Sequence, residues 1–199
     1  MKYINQLDYP HWLYVTRTEM EDEAEREKGK TTTVRSSACG LCSAVTVAHR
    51  LLPNCEFELT DALDLSYKVE ANYRKGTSYA RFAPAFAEKL GLKLEASRDI
   101  EALRRCVRTG GAAVILVRGD RDGQIGLFTH GAHYMSVINE EPDGRFAILD
   151  PSLSDKKYKE EGREGKVEVT KHGIVLATAE QLVEEAHDTS MPYYLFWRQ

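Results

Sequence analysis

A cysteine at position 39 stands where a thiol could serve as a nucleophile. Small residues lead into Cys39, and apolar side chains at helical spacing follow as far as Leu52, before Pro53 ends the pattern. The spacing predicts a helix over residues 39–52 with the thiol at its first turn. Unpaired backbone N–H groups and the positive end of the helix dipole stabilise an anion there. A thiol in this position ionises more easily, and the thiolate is the reactive form.

Two other interpretations of Cys39 are open at this point. A cysteine among small apolar residues is often an inert part of the core. The spacing Cys39-Gly40-Leu41-Cys42 also occurs in metal sites and in redox pairs. Cys55 and Cys106 lie far apart and supply no second pair at that spacing, which argues against a zinc site of four cysteines. We therefore predict neither a metal nor an organic cofactor.

A cysteine nucleophile requires a base within hydrogen-bond reach and a partner that orients the base. Among the six histidines, His133 begins an alternating segment typical of a strand, and Asp150 ends the next such segment. Turn residues at 140–144 predict a hairpin that places His133 opposite roughly residues 150–152. Opposed residues have Cβ atoms about 4.5–5.5 Å apart. Asp150 could thus accept from one ring nitrogen of His133 and leave the other facing the thiol.

The same pair has a plainer interpretation, as a solvated histidine and an aspartate that caps a loop before Pro151. His130, three residues before His133, is a second candidate base, although the pattern places it in a loop. His172 stands next to a glycine and is typical of a turn. Only a nearby thiol favours the catalytic interpretation of His133.

The secondary structure that must position these residues is predicted to change from helices to strands at Gly110-Gly111. Before this point the spacing is mostly helical, and after it continuous apolar and alternating runs predict strands. Helices are predicted at 39–52, 61–74, 78–90, 99–107 and 178–186, and strands at 92–95, 112–117, 128–139, 145–149, 166–169, 173–176 and 193–197. Helices followed by antiparallel strands indicate an α+β fold, with the cysteine helix packed on the sheet.

The composition of the chain limits which binding partners and which cellular compartment can be expected for the protein. A chain of 199 residues suits a single domain over 1–199, and a net charge of −4 gives no reason to expect nucleic acid or an anionic membrane as partner. The first residues lack the apolar core of a secretory signal, and no apolar run is long enough to span a membrane. Four cysteines without such a signal predict reduced thiols and a cytoplasmic location.

The order of cysteine on a first helix, then histidine and aspartate on later strands, is the papain-like order. Its local motifs resemble those of the bacterial bacteriocin-processing (double-glycine leader) peptidases and their standalone relatives, over roughly residues 3–155. The motifs that carry the resemblance are Ser37-Ala38-Cys39-Gly40-x-x-Ser43, Gly131-Ala132-His133-Tyr134-x-x-Val137 and Leu149-Asp150-Pro151-Ser152. The resemblance implies a papain-like cysteine peptidase that acts on a peptide or protein.

The resemblance also implies a glutamine that donates a hydrogen bond to the oxyanion. Transporter-attached relatives hold it six residues before the cysteine, where this chain has Thr33. Standalone relatives carry a Gln-x-x-Tyr-Pro element instead, which Gln6-Leu7-Asp8-Tyr9-Pro10 matches. Gln6 is then the expected donor together with the Cys39 backbone N–H, and residues 11–36 form a charged surface insertion. Without such a donor, the oxyanion site would be degenerate.

Two further functions remain compatible with the same residues. A catalytically degenerate relative would use the cleft only to hold an extended peptide. An acyl transferase would use the same Cys39, His133 and Asp150 but pass the acyl group to an amine rather than to water. The sequence leaves the substrate open.

Overall fold

An antiparallel sheet of seven strands forms the centre of the fold. A computed structural model describes residues 2–15, 32–73 and 76–199. Its strands are β1 (Leu13–Tyr14), β2 (Thr32–Thr33), β3 (Asn72–Tyr73), β4 (Gly76–Thr77), β5 (Leu92–Ser97), β6 (Ala112–Val117), β7 (His133–Glu140), β8 (Phe146–Leu149), β9 (Glu168–Val169), β10 (Val175–Ala177) and β11 (Tyr193–Arg198). The large sheet has the order β5-β11-β6-β7-β8-β10-β9, while β1 pairs with β2 and β3 with β4.

Helices cover both faces of this sheet. They are α1 (Val34–Ser37), α2 (Cys39–Leu51), α3 (Leu59–Lys68), α4 (Tyr79–Leu90), α5 (Ile100–Arg108) and α6 (Ala179–Glu185), with short 3-10 helices at Gln6–Asp8 and Lys157–Lys159. One core cluster joins α2, α3 and α4 to sheet residues such as Val114 and Phe196. The other joins α5 and α6 to the opposite face, through residues such as Ile115 and Val137. The predicted α+β fold, with the cysteine helix on an antiparallel sheet, is confirmed.

Helix α2 is buried along almost its whole length. Leu41, Val45 and Ala48 are fully buried, and they pack in the same core as α3, α4 and the sheet. A helix that is apolar on most sides is stable only inside a core. The central position of α2 therefore fixes where its first residue lies relative to the strands.

Two predicted elements differ from the structure by more than three residues at one end. Strand β7 begins at His133 rather than near 128, because the preceding segment folds back and the Asp120 N–H donates to His130 O at 3.2 Å. Helix α3 ends at Lys68 rather than near 74. Glu70 has a φ of 57°, a left-handed backbone conformation that cannot continue a right-handed helix. Both differences follow from loop geometry, which hydrophobic spacing does not report.

The ends of the predicted insertion at 11–36 meet each other. Leu13 pairs with Thr33 across the β1–β2 ladder, and the Val34 N–H donates to Trp12 O at 2.9 Å. Residues 16–31 lie outside the described part of the chain, so the insertion itself stays a prediction. Within the described ranges, no helix combines the length and apolar character needed to cross a membrane.

Candidate active site

Serine side chains join the cysteine helix to the histidine strand. Ser43 Oγ donates to Tyr134 O at 3.3 Å, and Ser136 Oγ donates to Ser43 O at 3.1 Å. These bonds hold α2 against β7 close to where each element begins. Because Cys39 is the first residue of α2 and His133 the first of β7, the two side chains come together at the end of the sheet where its central strand begins.

The Cys39 thiol is poised to ionise. Burial alone would raise its pKa, since only 9% of the residue is exposed. A hydrogen bond and the positive charge of His133, with backbone N–H groups of Tyr134 and Gly40, outweigh burial and hold the pKa of Cys39 below its ordinary value. An environment of this kind is typical of a reactive thiol rather than an inert core cysteine.

His133 lies between the thiol and a buried carboxylate. Its Nε2 atom is 2.8 Å from Asp150 Oδ1, and Asp150 is fully buried. Because Nε2 contacts Asp150, the hydrogen bond between His133 and the Cys39 thiol is assigned to the other ring nitrogen, Nδ1. Burial and the charge of Lys157 act to lower the pKa of His133, but Asp150 and the Cys39 thiol raise it, and the net direction is upward. The site therefore favours a thiolate beside an imidazolium.

The Asp150 carboxylate accepts hydrogen bonds at both oxygens. Oδ1 accepts from the Ser152 N–H at 2.9 Å and from Ser152 Oγ at 3.1 Å, in addition to His133. Oδ2 accepts from Tyr158 Oη at 2.7 Å and lies 2.6 Å from Lys157 Nζ. Burial opposes the charge on this carboxyl, but the cations His133 and Lys157 hold its pKa well below the usual range. Asp150 is thus an anion that fixes the orientation of the imidazole.

The N-terminal segment lies between the cysteine and aspartate elements. The Gln6 N–H donates to Pro151 O at 2.7 Å, and Tyr3 Oη donates to Asp150 O at 2.5 Å. On the other side, Gln6 Nε2 donates to Arg35 O at 2.7 Å, four residues before Cys39. The chain therefore doubles back, and the Gln6 side chain is buried against α1, the short helix that precedes the cysteine helix.

The glycine that follows the cysteine is needed for packing. Tyr79 donates to Gly40 O at 2.8 Å and stacks on Tyr134 with ring centroids 4.6 Å apart. A Cβ atom at position 40 would lie 2.9 Å from Tyr79 Cε2 and 3.1 Å from Tyr134 Cδ2. The Cys-Gly motif thus lets two tyrosine rings close over the first turn of α2.

The other candidate side chains occupy different environments. Burial raises the pKa of the Cys106 thiol to about 12 and also raises that of Cys42. His130, the second candidate base, has Nδ1 2.9 Å from Asp120 Oδ2 and Nε2 3.3 Å from Glu160 Oε2. His172 lies in an exposed turn. Across residues 2–15, 32–73 and 76–199, histidine, cysteine and carboxylate side chains form no cluster that could hold a metal ion.

Sequence reasoning missed several groups around Asp150. Residues 151–166 are polar and predict only a loop, yet Ser152, Lys157 and Tyr158 all contact the carboxylate. The Asp-Pro-Ser motif marks Ser152, because a serine two residues after an aspartate can donate back to it. Lys157 stands among other lysines and carries no such signal.

Comparisons with known proteins show likeness at the level of the fold. The sequence matches no family model and no curated protein. The structure is similar to the peptidase domain of Streptococcus ComA, a bifunctional ABC transporter involved in a quorum-sensing pathway. The TM-score is 0.52 at 15% identity, over 81% of this chain and 91% of that one. A Bacillus anthracis protein described as a C39-like peptidase has a TM-score of 0.49 at 12% identity, over 81% of this chain and 88% of that one. The likeness to the ComA peptidase domain confirms the predicted papain-like fold, and this chain shares the fold of that domain.

Proposed function

We propose that this protein is a papain-like cysteine peptidase or amidase that cleaves a peptide or amide bond through an acyl-enzyme on Cys39. The observation that carries the proposal is the sequence of contacts from the Cys39 thiol through His133 to the buried Asp150 carboxylate. A nucleophile, a base and an orienting anion in this order are what acyl transfer by a thiol requires.

In the proposed reaction, the Cys39 thiolate attacks the carbonyl carbon of the substrate. His133, protonated at Nδ1, then gives its proton to the leaving amine as the C–N bond breaks, which leaves a thioester on Cys39. Neutral His133 takes a proton from water, the hydroxide attacks the thioester, and the carboxylic acid leaves as the thiolate and imidazolium are restored. Asp150 keeps the ring oriented throughout and stabilises its positive charge.

The tetrahedral intermediates require donors for the oxyanion, and we assign Gln6 and the Cys39 backbone N–H to this role. An amide nitrogen carries two hydrogens; one on Gln6 is donated to Arg35 O, and we assign the second to the oxyanion of the substrate. The Gln6 side chain is held from both sides, because its backbone is bonded to Pro151. A donor held in advance costs little reorganisation when charge develops on the substrate oxygen.

Replacing Gln6 by alanine should lower kcat/KM by about 100-fold, the effect expected for loss of one oxyanion donor. The measurement is hydrolysis of whichever peptide in a fluorogenic library the parent protein cleaves. Alkylation of Cys39 serves as the control, since it needs the His133 pair but no oxyanion, and its rate should stay near that of the parent. If the Gln6→Ala variant hydrolysed the peptide as fast as the parent, Gln6 would not be an oxyanion donor.

The activated thiol can be tested without a substrate. With iodoacetamide near pH 6, Cys39 should react at least about tenfold faster than Cys42, Cys55 or Cys106, because only a thiolate attacks the reagent. Peptide mapping by mass spectrometry gives each rate, and the urea-unfolded protein, in which the thiols should react alike, is the control. Equal rates in the folded protein would contradict the proposal.

A peptide-binding module without catalysis is the competing function. It is favoured by Thr33, which stands where transporter-attached relatives hold their glutamine. Such a module would leave Cys39 unactivated and would bind peptides without cleaving them. Transfer of the acyl group to an amine shares the activated thiol, and the products formed with and without an added amine would distinguish it from hydrolysis.

A further inference from the structure

Lys157 is a buried cation next to the candidate active site. Its side chain is 11% exposed, and Nζ lies 2.6 Å from both Asp150 Oδ2 and Ser152 Oγ. Lysine is among the residues least often buried, and removing its charge from water is costly unless a counter-ion is close. Burial indeed acts to lower the pKa of Lys157, while Asp150 opposes that effect.

Hydrogen bonding to Asp150 does not by itself require this cation. Tyr158 already donates a hydrogen bond to Asp150 Oδ2, and Ser152 and His133 donate hydrogen bonds to Asp150 Oδ1. Neutral donors would satisfy the carboxylate at lower desolvation cost than an ammonium group. The specific contribution of Lys157 is therefore its positive charge.

That charge acts on a small group of ionisable side chains. His133 meets Asp150 from the start of β7, and Tyr158 meets it from the same 3-10 helix as Lys157. Cys39 attracts the Lys157 ammonium from α2, and Arg163 repels it from the following loop. Tyr3 reaches the Asp150 backbone from the N-terminal segment. With Cys39 and Asp150 as anions and His133 and Lys157 as cations, the charges of these four groups cancel.

We propose that Lys157 is a positioning residue that partly neutralises Asp150 and so limits how tightly this carboxylate holds the proton on His133. A lone buried carboxylate would make the imidazolium a poor acid, and the proton would be slow to reach the leaving amine. Lys157 also adds positive charge near the Cys39 thiolate. The inference rests on the proposed function, in which His133 must both hold and release a proton.

The proton affinity of His133 can be measured without any turnover. In a Cys39→Ser background, an NMR titration of labelled histidines gives the pKa of His133 with and without a second substitution. Lys157→Gln keeps a hydrogen-bond donor but removes the charge, and it should raise the pKa of His133 by about 1, the scale expected for a nearby charge. Lys157→Arg keeps the charge and should leave the pKa near its parent value.

Tyr158→Phe is the matched control, because it removes a neutral donor from the same Asp150 oxygen. It should move the pKa of His133 far less than Lys157→Gln does. An unchanged pKa in Lys157→Gln, or an equal rise in Tyr158→Phe, would overturn the inference and leave Lys157 a purely structural residue.

A second readout separates this inference from the proposed function. In the protein with Cys39 intact, Lys157→Gln should move the midpoint of Cys39 alkylation upward by about 0.5–1 pH, because the thiolate loses a nearby cation. A parent protein whose Cys39 is unreactive at pH 6 would contradict the proposed function, and the NMR result would still decide the role of Lys157. A reactive parent with an unmoved midpoint in the variant would contradict the inference alone.

Discussion

His133→Gln should lower kcat/KM for peptide hydrolysis by at least about 1,000-fold, because the variant has no group that can move a proton between Cys39 and the substrate. Glutamine is close in size to histidine and can still hydrogen-bond to Asp150, so the fold should survive. The measurement is steady-state hydrolysis of a fluorogenic peptide that the parent cleaves. Alkylation of Cys39 at pH 6 should slow as well, since the thiolate loses its cation.

The matched control is His130→Gln, three residues away in the same stretch of chain. His130 pairs with Asp120 and Glu160 at the surface, where its side chain is 61% exposed. We expect this variant to retain hydrolysis close to that of the parent. A large loss in His130→Gln together with a small loss in His133→Gln would exchange the roles of the two histidines.

Asp150→Ala should destabilise the folded protein by about 3–5 kcal/mol, the cost of removing one partner from a buried ion pair. The substitution leaves the Lys157 ammonium inside the protein without its counter-ion, and it leaves donors such as Tyr158 Oη unpaired. Urea unfolding of parent and variant gives the difference in free energy. Asp155→Ala, five residues later at an exposed position, is the control and should leave stability close to that of the parent.

The same variant should show a specific pH dependence. The pKa of Asp150 lies below its ordinary value in the folded protein, so its contribution to stability is present above pH about 4 and is lost on further acidification. The difference in unfolding free energy between parent and Asp150→Ala should therefore shrink as the pH falls below about 4. A difference that is small at pH 7, or that grows in acid, would contradict the role given to this carboxylate.

The sequence predicted the parts of the site that lie on regular elements. Cys39 begins a helix and His133 begins a strand, and both elements have strong hydrophobic periodicity. Asp150 was found because a short hairpin fixes which residues face each other, and the observed pairing of Ser136 with Leu149 lies close to the predicted one. The register of the β7–β8 pairing shifts between Val137 and Asn139, which is a β-bulge. The residue types at these positions do not predict it.

The remaining groups come from loops and from distant parts of the chain. Lys157 and Tyr158 reach Asp150 through a turn of 3-10 helix within a polar segment, where periodicity carries no information. In the sequence, Ser43 is one small residue among several. Its hydrogen bond to Tyr134 O forms only when α2 packs against β7. Tertiary contacts of this kind depend on the whole fold rather than on local pattern.

The position of β11 determines when the site can exist during synthesis. This strand lies between β5 and β6, with Leu195 opposite both Glu95 and Ala113, yet it is made after every other strand of the sheet. Until it emerges from the ribosome, β5 and β6 expose unpaired edges, and the face that supports the cysteine helix is incomplete. Contacts between such distant residues also form slowly. A partly synthesised chain would therefore carry Cys39 without a finished sheet behind it, and the proposed nucleophile would gain its folded surroundings only after β11 had left the ribosome.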